Sequence, residues 1–252
     1  MSTSPEPGLT SARPPSEAFD ARVVSTRQLT PSVRQLVLER IDGREMRFVP
    51  GQWVNLLVPV HGAEVKRAYS IASAPVASPR FDLAVTRVEG GAASIALHEA
   101  AEGAVLRAVG PSGLFTRDAT DPAAAVLVGT GTGVTPLRSM VRAAIDAASS
   151  AEIVLLWGFR HEEDILYRDE LVELAASHPN VSVHVTLSKP PESWGGLRGY
   201  VQQHLGRLVA ELGDPEAHVY ACGLERMVKA VRDLARGELA IPRKQVHQER
   251  YD

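Results

Sequence analysis

The chain has 252 residues, 44% of them hydrophobic and 23% charged, and a formal net charge of −3. That balance is ordinary for a soluble protein, gives no reason to expect nucleic-acid or membrane-surface binding, and includes no apolar run long enough to span a bilayer. Cys222 is the only cysteine, which excludes an intrachain disulfide and a protein-held iron–sulfur cluster and makes the cytoplasm the expected compartment.

Met1–Glu17 is rich in Ser, Pro and Glu and lacks the apolar core of a signal peptide, so a disordered tail is expected there. From Ala18 to Thr116 the pattern is mainly β. Ala21–Leu29, Val33–Arg40, Trp53–Val60 and Phe81–Val88 are short and rich in β-branched residues. Pro31-Ser32, Ile41-Asp42-Gly43 and Pro50-Gly51 punctuate them as turns. Strands so closely spaced predict a small antiparallel β-barrel over 18–117. One helix is expected inside it, Ser94–Ala101, entered through Gly90-Gly91-Ala92-Ala93 with Ser94 as N-cap. Asp118–Pro122 reads as a linker to a second domain, 123–252. There strands Ala123–Val128, Ile153–Trp157, Val181–Leu187, Ala217–Ala221 and Gln245–Glu249 alternate with helices Thr135–Ala148, Asp164–Ser177, Tyr200–Leu212 and Glu225–Arg236. Such alternation predicts an α/β domain with a parallel sheet.

Two stretches carry chemistry. After the apolar strand Ala123–Val128, Gly129, Gly131 and Gly133 allow a sharp turn and a close approach to a ligand. Pro136 then suits a first helical turn. Strand, glycine turn and helix start gather free N–H groups and a positive dipole end, which is where phosphates bind. A nucleotide-hydrolase loop would need Gly-Lys-Ser/Thr, and no Lys is present. The usual dinucleotide fingerprint would need Gly at Val134 and an acid near the end of the next strand, which runs into Gly158-Phe159-Arg160. The second stretch is Lys66-Arg67-Ala68-Tyr69-Ser70. Arg67 offers a planar fork for phosphate oxygens, Tyr69 a flat ring on the same strand face, and Ser70 one hydrogen bond from the other face. These residues suit a flat heterocycle carrying a diphosphate; taken alone, they fit an edge strand with a solvated Arg and a half-buried Tyr better.

Arg67-Ala-Tyr-Ser70, Gly90-Gly-Ala-Ala-Ser94, Gly110-Pro-Ser-Gly-Leu-Phe115, Gly129-Thr-Gly-Thr-Gly-Val-Thr-Pro136 and Ala221-Cys-Gly223 stand in one order and spacing. From Ala18 to Asp252 the chain thereby resembles the ferredoxin–NADP⁺ reductase family. The resemblance implies an FAD-binding barrel followed by an NAD(P)-binding α/β domain. It implies that Arg67 grips the FAD diphosphate, that Tyr69 packs on the isoalloxazine, and that Ser70 stands near flavin N5. Ala68, Thr86, Val88, Gly91, Ala92, Ala93, Ser94 and Thr135 complete the implied flavin contacts. Gly129, Thr130, Gly131, Thr132, Gly133, Val134, Arg160 and Met227 would hold the nicotinamide dinucleotide, with Cys222 and Gly223 beside the nicotinamide ring. Ser188, Lys189, Arg198 and Tyr200 would form the pocket for a 2′-phosphate and adenine, favouring NADPH, with NADH open because Lys189 replaces the family's Arg. Glu249 and Tyr251 resemble the acidic residue and aromatic that close the other flavin face. Catalytic roles thus fall to Ser70, Cys222, Glu249 and Tyr251. The implied activity is electron transfer from NADPH through FAD to a separate carrier, a ferredoxin or flavodoxin, by a monomer. A free-flavin or quinone reductase, or a nucleotide-binding electron-transfer subunit, is the alternative.

Overall fold

The computed structural model describes residues 15–60 and 62–251. Most of the expected tail lies outside these residues; its last member, Glu17, opens the first strand and pairs at 2.5 Å with the buried Arg40. The first domain contains β1 (Glu17–Thr30), β2 (Val33–Arg40), β3 (Trp53–Val60), β4 (Ala63–Ser70), β5 (Arg80–Thr86), α1 (Ala92–Glu99) and β6 (Val105–Ser112). The strands form one antiparallel sheet in the order β4-β3-β6-β1-β2-β5. Register shifts in β1 after Val23 and Gln28 mark bulges, which raise the local twist. The sheet curls into a half-barrel whose two edges meet at one bridge, Ile71 to Leu83. Leu36, Leu38, Leu56, Phe81, Leu83 and Leu97 fill it, each almost fully buried.

β4 and β6 were not resolved as strands by periodicity. The edge strand β4 carries exposed Glu64, Lys66 and Arg67, whose charge hides any apolar alternation. β6 holds Gly110-Pro111 in the middle of a sheet, where proline has no ladder donor. It is accommodated at a bulge: Trp53 faces Ser112 and Asn55 faces Val109, so β6 carries one residue more.

The second domain runs β7 (Ala125–Thr130), α2 (Val134–Asp146), β8 (Ile153–Phe159), α3 (Arg168–Ser177), β9 (Val181–Leu187), β10 (Leu197–Arg198), α4 (Gln202–Leu212), β11 (His218–Leu224), α5 (Glu225–Arg236) and β12 (Val246–Tyr251). Its sheet is parallel throughout, in the order β10-β9-β8-β7-β11-β12. β8 is buried at every position, as a central parallel strand covered on both faces must be. The chain leaves β7 for β8 on one side and reaches β11 on the other, so a crevice opens at the carboxyl ends of β7 and β11. α3 starts at Arg168 rather than Asp164, because Glu162–Asp164 make a single tight turn and Tyr167 is left-handed at φ 56°. Among the described residues no helix is long and apolar enough to cross a membrane.

The two domains share a core. Val33, Ala72, Ala84 and Phe115 of the half-barrel pack in one cluster with Leu127, Leu137, Met140 and Trp157 of the α/β domain. That contact holds the crevice over the open side of the half-barrel.

Candidate active site

In the half-barrel a pocket of about 380 Å³ lies against β4, β5 and the start of α1. Arg67, Ala68, Tyr69 and Ser70 line one side, and Thr86, Val88 and Gly91–Ser94 another. Ser94 does not cap the helix. Its hydroxyl accepts from the Val88 N–H at 3.0 Å and donates to the Gly91 carbonyl at 2.8 Å, while Gly91 is the N-cap with no side-chain bond. The first-turn amides of α1 are therefore left for a ligand. A side chain at Gly91 would meet the Ser94 hydroxyl at 2.8 Å and Val88 at 2.9 Å, so the cradle is shaped to backbone. A guanidinium, an uncapped helix start and a half-buried tyrosine ring are the donor set that a dinucleotide carrying a flat ring requires.

A larger cleft of about 820 Å³ opens at the carboxyl ends of the parallel strands. Thr130–Thr132 lie at its centre, Arg160 and Ser188-Lys189 on one flank, and Arg226-Met227 on the other. Gly131 is left-handed at φ 54°. Gly133 packs on the next strand so closely that a Cβ there would stand 2.3 Å from the Cys222 carbonyl oxygen. Thr135 Oγ1 donates to the Thr132 carbonyl at 2.8 Å and tightens the turn. The two pockets share a wall: Thr86 and Thr132 line both, their hydroxyls 3.3 Å apart.

Beside that wall four groups from distant positions converge. Ser70 Oγ and Tyr251 Oη share a hydrogen bond of 2.6 Å. Strand pairing sets Glu249 opposite Cys222. Burial pushes the Glu249 carboxyl up to about 7, an interaction with Ser70 pulling it partly back, and its Oε1 has no partner. Burial pushes the Cys222 thiol far above its usual value, with the nearby Glu249 charge adding to the effect. Desolvation also holds Tyr251 firmly in its neutral form.

Residues 20–116 match the model of the oxidoreductase FAD-binding domain, and residues 127–233 that of the oxidoreductase NAD-binding domain. Ferredoxin–NADP reductase B of Sorangium cellulosum is 60% identical over 240 residues, which cover 94% of this chain and 98% of that protein. The chain belongs to the ferredoxin–NADP⁺ reductase family. A glycine betaine monooxygenase reductase subunit of Pseudomonas aeruginosa is 35% identical over 75% of the chain, which spans only 52% of that longer protein. Among solved structures, the cytochrome P450 reductase GcoB of Amycolatopsis superposes with a TM-score of 0.83 at 27% identity, covering 94% of this chain and 70% of that one.

Within this reductase the motifs do not all face a pocket. Arg67 through Ser70, Thr86, Val88, Gly91 through Ser94, Thr135 and Tyr251 line the half-barrel pocket; Thr130 through Thr132, Arg160, Ser188, Lys189, Tyr200 and Met227 line the cleft. Gly129, Gly133, Val134, Cys222 and Gly223 do not line the cleft and act from beneath it, shaping the turn. Cys222 is wholly buried, covered on its strand edge by β12. Arg198 stands apart from the cleft lining. Its Nη2 donates to the Pro191, Glu192 and Trp194 carbonyls at 3.1, 2.8 and 3.0 Å, so it fastens the 191–194 loop and does not line the cleft. A further cation that lines it beside Arg160 and Lys189, Arg226, sits in the first turn of α5, three residues after Gly223. Its signal was available in Cys222-Gly-Leu-Glu-Arg226-Met, where a helix start follows a strand end. Thr30 and Ser32, from the β1–β2 turn, also line the cleft, and only the tertiary packing of the two domains brings them there.

Proposed function

We propose that this protein is an FAD-dependent reductase that carries electrons from NADPH to a separate one-electron carrier, a ferredoxin or flavodoxin, working as a monomer in the cytoplasm. The observation that carries this reading is the shared wall. A pocket suited to FAD and a cleft suited to a nicotinamide dinucleotide meet at Thr86 and Thr132, beside Ser70 and Tyr251. Bound FAD supplies the exchange between paired electrons from the nicotinamide and single electrons to the carrier. The protein's own part is orientation, exclusion of water and management of one proton.

Arg67 and the first turn of α1 grip the FAD diphosphate, and Tyr69 supports the ring. Ser70 positions the reacting edge. Glu249, with its carboxyl at about 7 and one oxygen unpartnered, holds or accepts a proton near neutral pH. Tyr251 covers the site and yields to nicotinamide; its bond to Ser70 is the contact that must break. The preference for NADPH rests on cations: Arg160, Lys189 and Arg226 line the cleft and none of the three is ion-paired among the described residues. A 2′-phosphate beside Ser188 and Lys189 supplies the missing partner.

Anaerobic mixing of the yellow protein with NADPH or NADH, followed by ferredoxin or by free FMN, tests the reading. Rapid bleaching by NADPH and steady turnover with ferredoxin but not FMN are expected. Equal turnover with free FMN would instead make it a free-flavin reductase. Lys189→Ala raises KM for NADPH several-fold and leaves that for NADH unchanged; an equal effect on both would remove Lys189 from the phosphate site.

A further inference from the structure

The segment after Ser70 is held from two sides. Its amides belong to its own domain: the Ile71 N–H donates to the Gln52 carbonyl at 3.0 Å and the Ala72 N–H to the Asp82 carbonyl at 2.8 Å. Its carbonyls belong to the other domain. Arg138 Nη1 donates to the Ala72 carbonyl at 2.6 Å, and Ser139 Oγ donates to the Ser73 carbonyl at 2.7 Å. Two consecutive residues of α2 thus grip two consecutive carbonyls that begin two residues beyond Ser70. The same helix opens at the glycine turn, with Thr135 one turn before Ser139 and lining the flavin pocket.

Arg138 itself is tightly determined. Its Nε donates to both Glu170 carboxylate oxygens at 3.0 and 2.9 Å, and its Nη2 lies 2.8 Å from Glu170. The guanidinium lies over the ring of the left-handed Tyr167, 4.4 Å from its centroid, and Asp82 approaches to 3.9 Å. Ser139 is fully buried, with the Ser73 carbonyl as its partner. Neither Arg138 nor Ser139 lines either pocket.

We propose that Arg138 and Ser139 are positioning residues that fix the reach between the glycine turn and Ser70, and so set the distance across which hydride passes. They touch no cofactor. Their hydrogen bonds stop the segment following Ser70 from sliding along α2, a motion that the apolar contact of Val33, Ala72, Ala84 and Phe115 with the second domain resists poorly because such contact has no direction. A misplacement of about 1 Å between reacting groups can cost roughly a hundredfold in rate, so a clamp remote from the chemistry controls it.

The proposal rests on the FAD and NADPH reading above, and the test uses the full chain. Arg138→Gln and Ser139→Ala are expected to keep their FAD stoichiometry and their NADP⁺ dissociation constant within about twofold of the parent, while flavin reduction at saturating NADPH slows about tenfold or more in the first and about threefold in the second. Arg138→Lys, which keeps the charge but loses the planar fork, recovers only part of the rate. In flavin-free protein, amide exchange at Ile71 and Ala72 is expected to quicken in both variants. Reduction rates within twofold of the parent, or a rate lost only in proportion to lost flavin, would overturn the proposal. Should Arg138→Gln fail to fold, Ser139→Ala decides alone. If the parent is not reduced by NADPH, the cofactor reading fails, and unchanged exchange at Ile71 and Ala72 would still refute the clamp.

Discussion

The two domains each offer a helix start without a side-chain cap, and they build it by different means. At α1 the start is defined by what side chains do: Ser94 folds back to Val88 and Gly91, leaving first-turn amides open, and Arg67 reaches in from β4. At α2 the start is defined by what is missing. Gly133 rests on the Cys222–Gly223 backbone with no room for a methyl group, and Gly129 is hemmed in by Val134 and Leu137. A site made from side-chain contacts loses function by degrees as they are trimmed. A site made from absent side chains fails at the first atom added, because the neighbour that must move is main chain.

The sharpest way to break this contrast is Gly133→Ala. Its Cβ would stand 2.3 Å from a carbonyl oxygen, and overpacking of this kind costs about 3 kcal/mol or more. We expect a large fall in the denaturation midpoint together with lost NADP⁺ binding; a well-folded variant that binds NADP⁺ normally would show that the turn is looser than its geometry. Arg67→Ala comes next. Loss of one charge-assisted contact, about 1.5–3 kcal/mol, should leave substoichiometric flavin after gel filtration without altering apoprotein stability. Ser94→Ala is milder, about 1 kcal/mol, seen as weaker flavin retention. Equal damage from Ser94→Ala and Gly133→Ala would erase the distinction.

The smallest effect concerns pH. Glu249 has its folded pKa raised from 4.5 to about 7. Between those values the folded state binds more protons than the unfolded chain, so this group's contribution to stability is full below about pH 4.5 and is lost as pH rises through 7. Glu249→Gln should flatten that limb of the stability profile. It should also remove an ionisation near 7 from the pH dependence of flavin reduction, and an unchanged profile would take Glu249 out of the proton path.

Much of this arrangement was legible in the residues, and what was not has physical causes. Periodicity placed β2, β3, β9 and α5 at their observed bounds, since each combines a regular apolar pattern with clear ends. It missed β6 because Gly110-Pro111 reads as a turn, and only the extra residue at a bulge lets proline sit inside a sheet. It began α3 early because an Asp in an acidic run looks like a cap, whereas Tyr167 turns the chain left-handed before the helix starts. In the site, motif residues near strand ends fall beside a pocket because a strand end fixes their direction. The bonds of Arg198 to carbonyls of a nearby loop could not be foreseen, because loop carbonyls leave no trace in a pattern of side chains.

Cys222 has a practical consequence. It is the chain's only thiol, its side chain is wholly buried, and burial keeps it protonated. The thiolate is the nucleophile that attacks an alkylating reagent, so the folded, closed molecule should be silent to it. Labelling needs the side-chain packing around Cys222 to loosen, and Tyr251 of β12 packs against that cluster. The rate at which one equivalent of reagent is consumed therefore clocks the loosening of that packing, with no engineered reporter and in the presence or absence of any ligand that holds it shut.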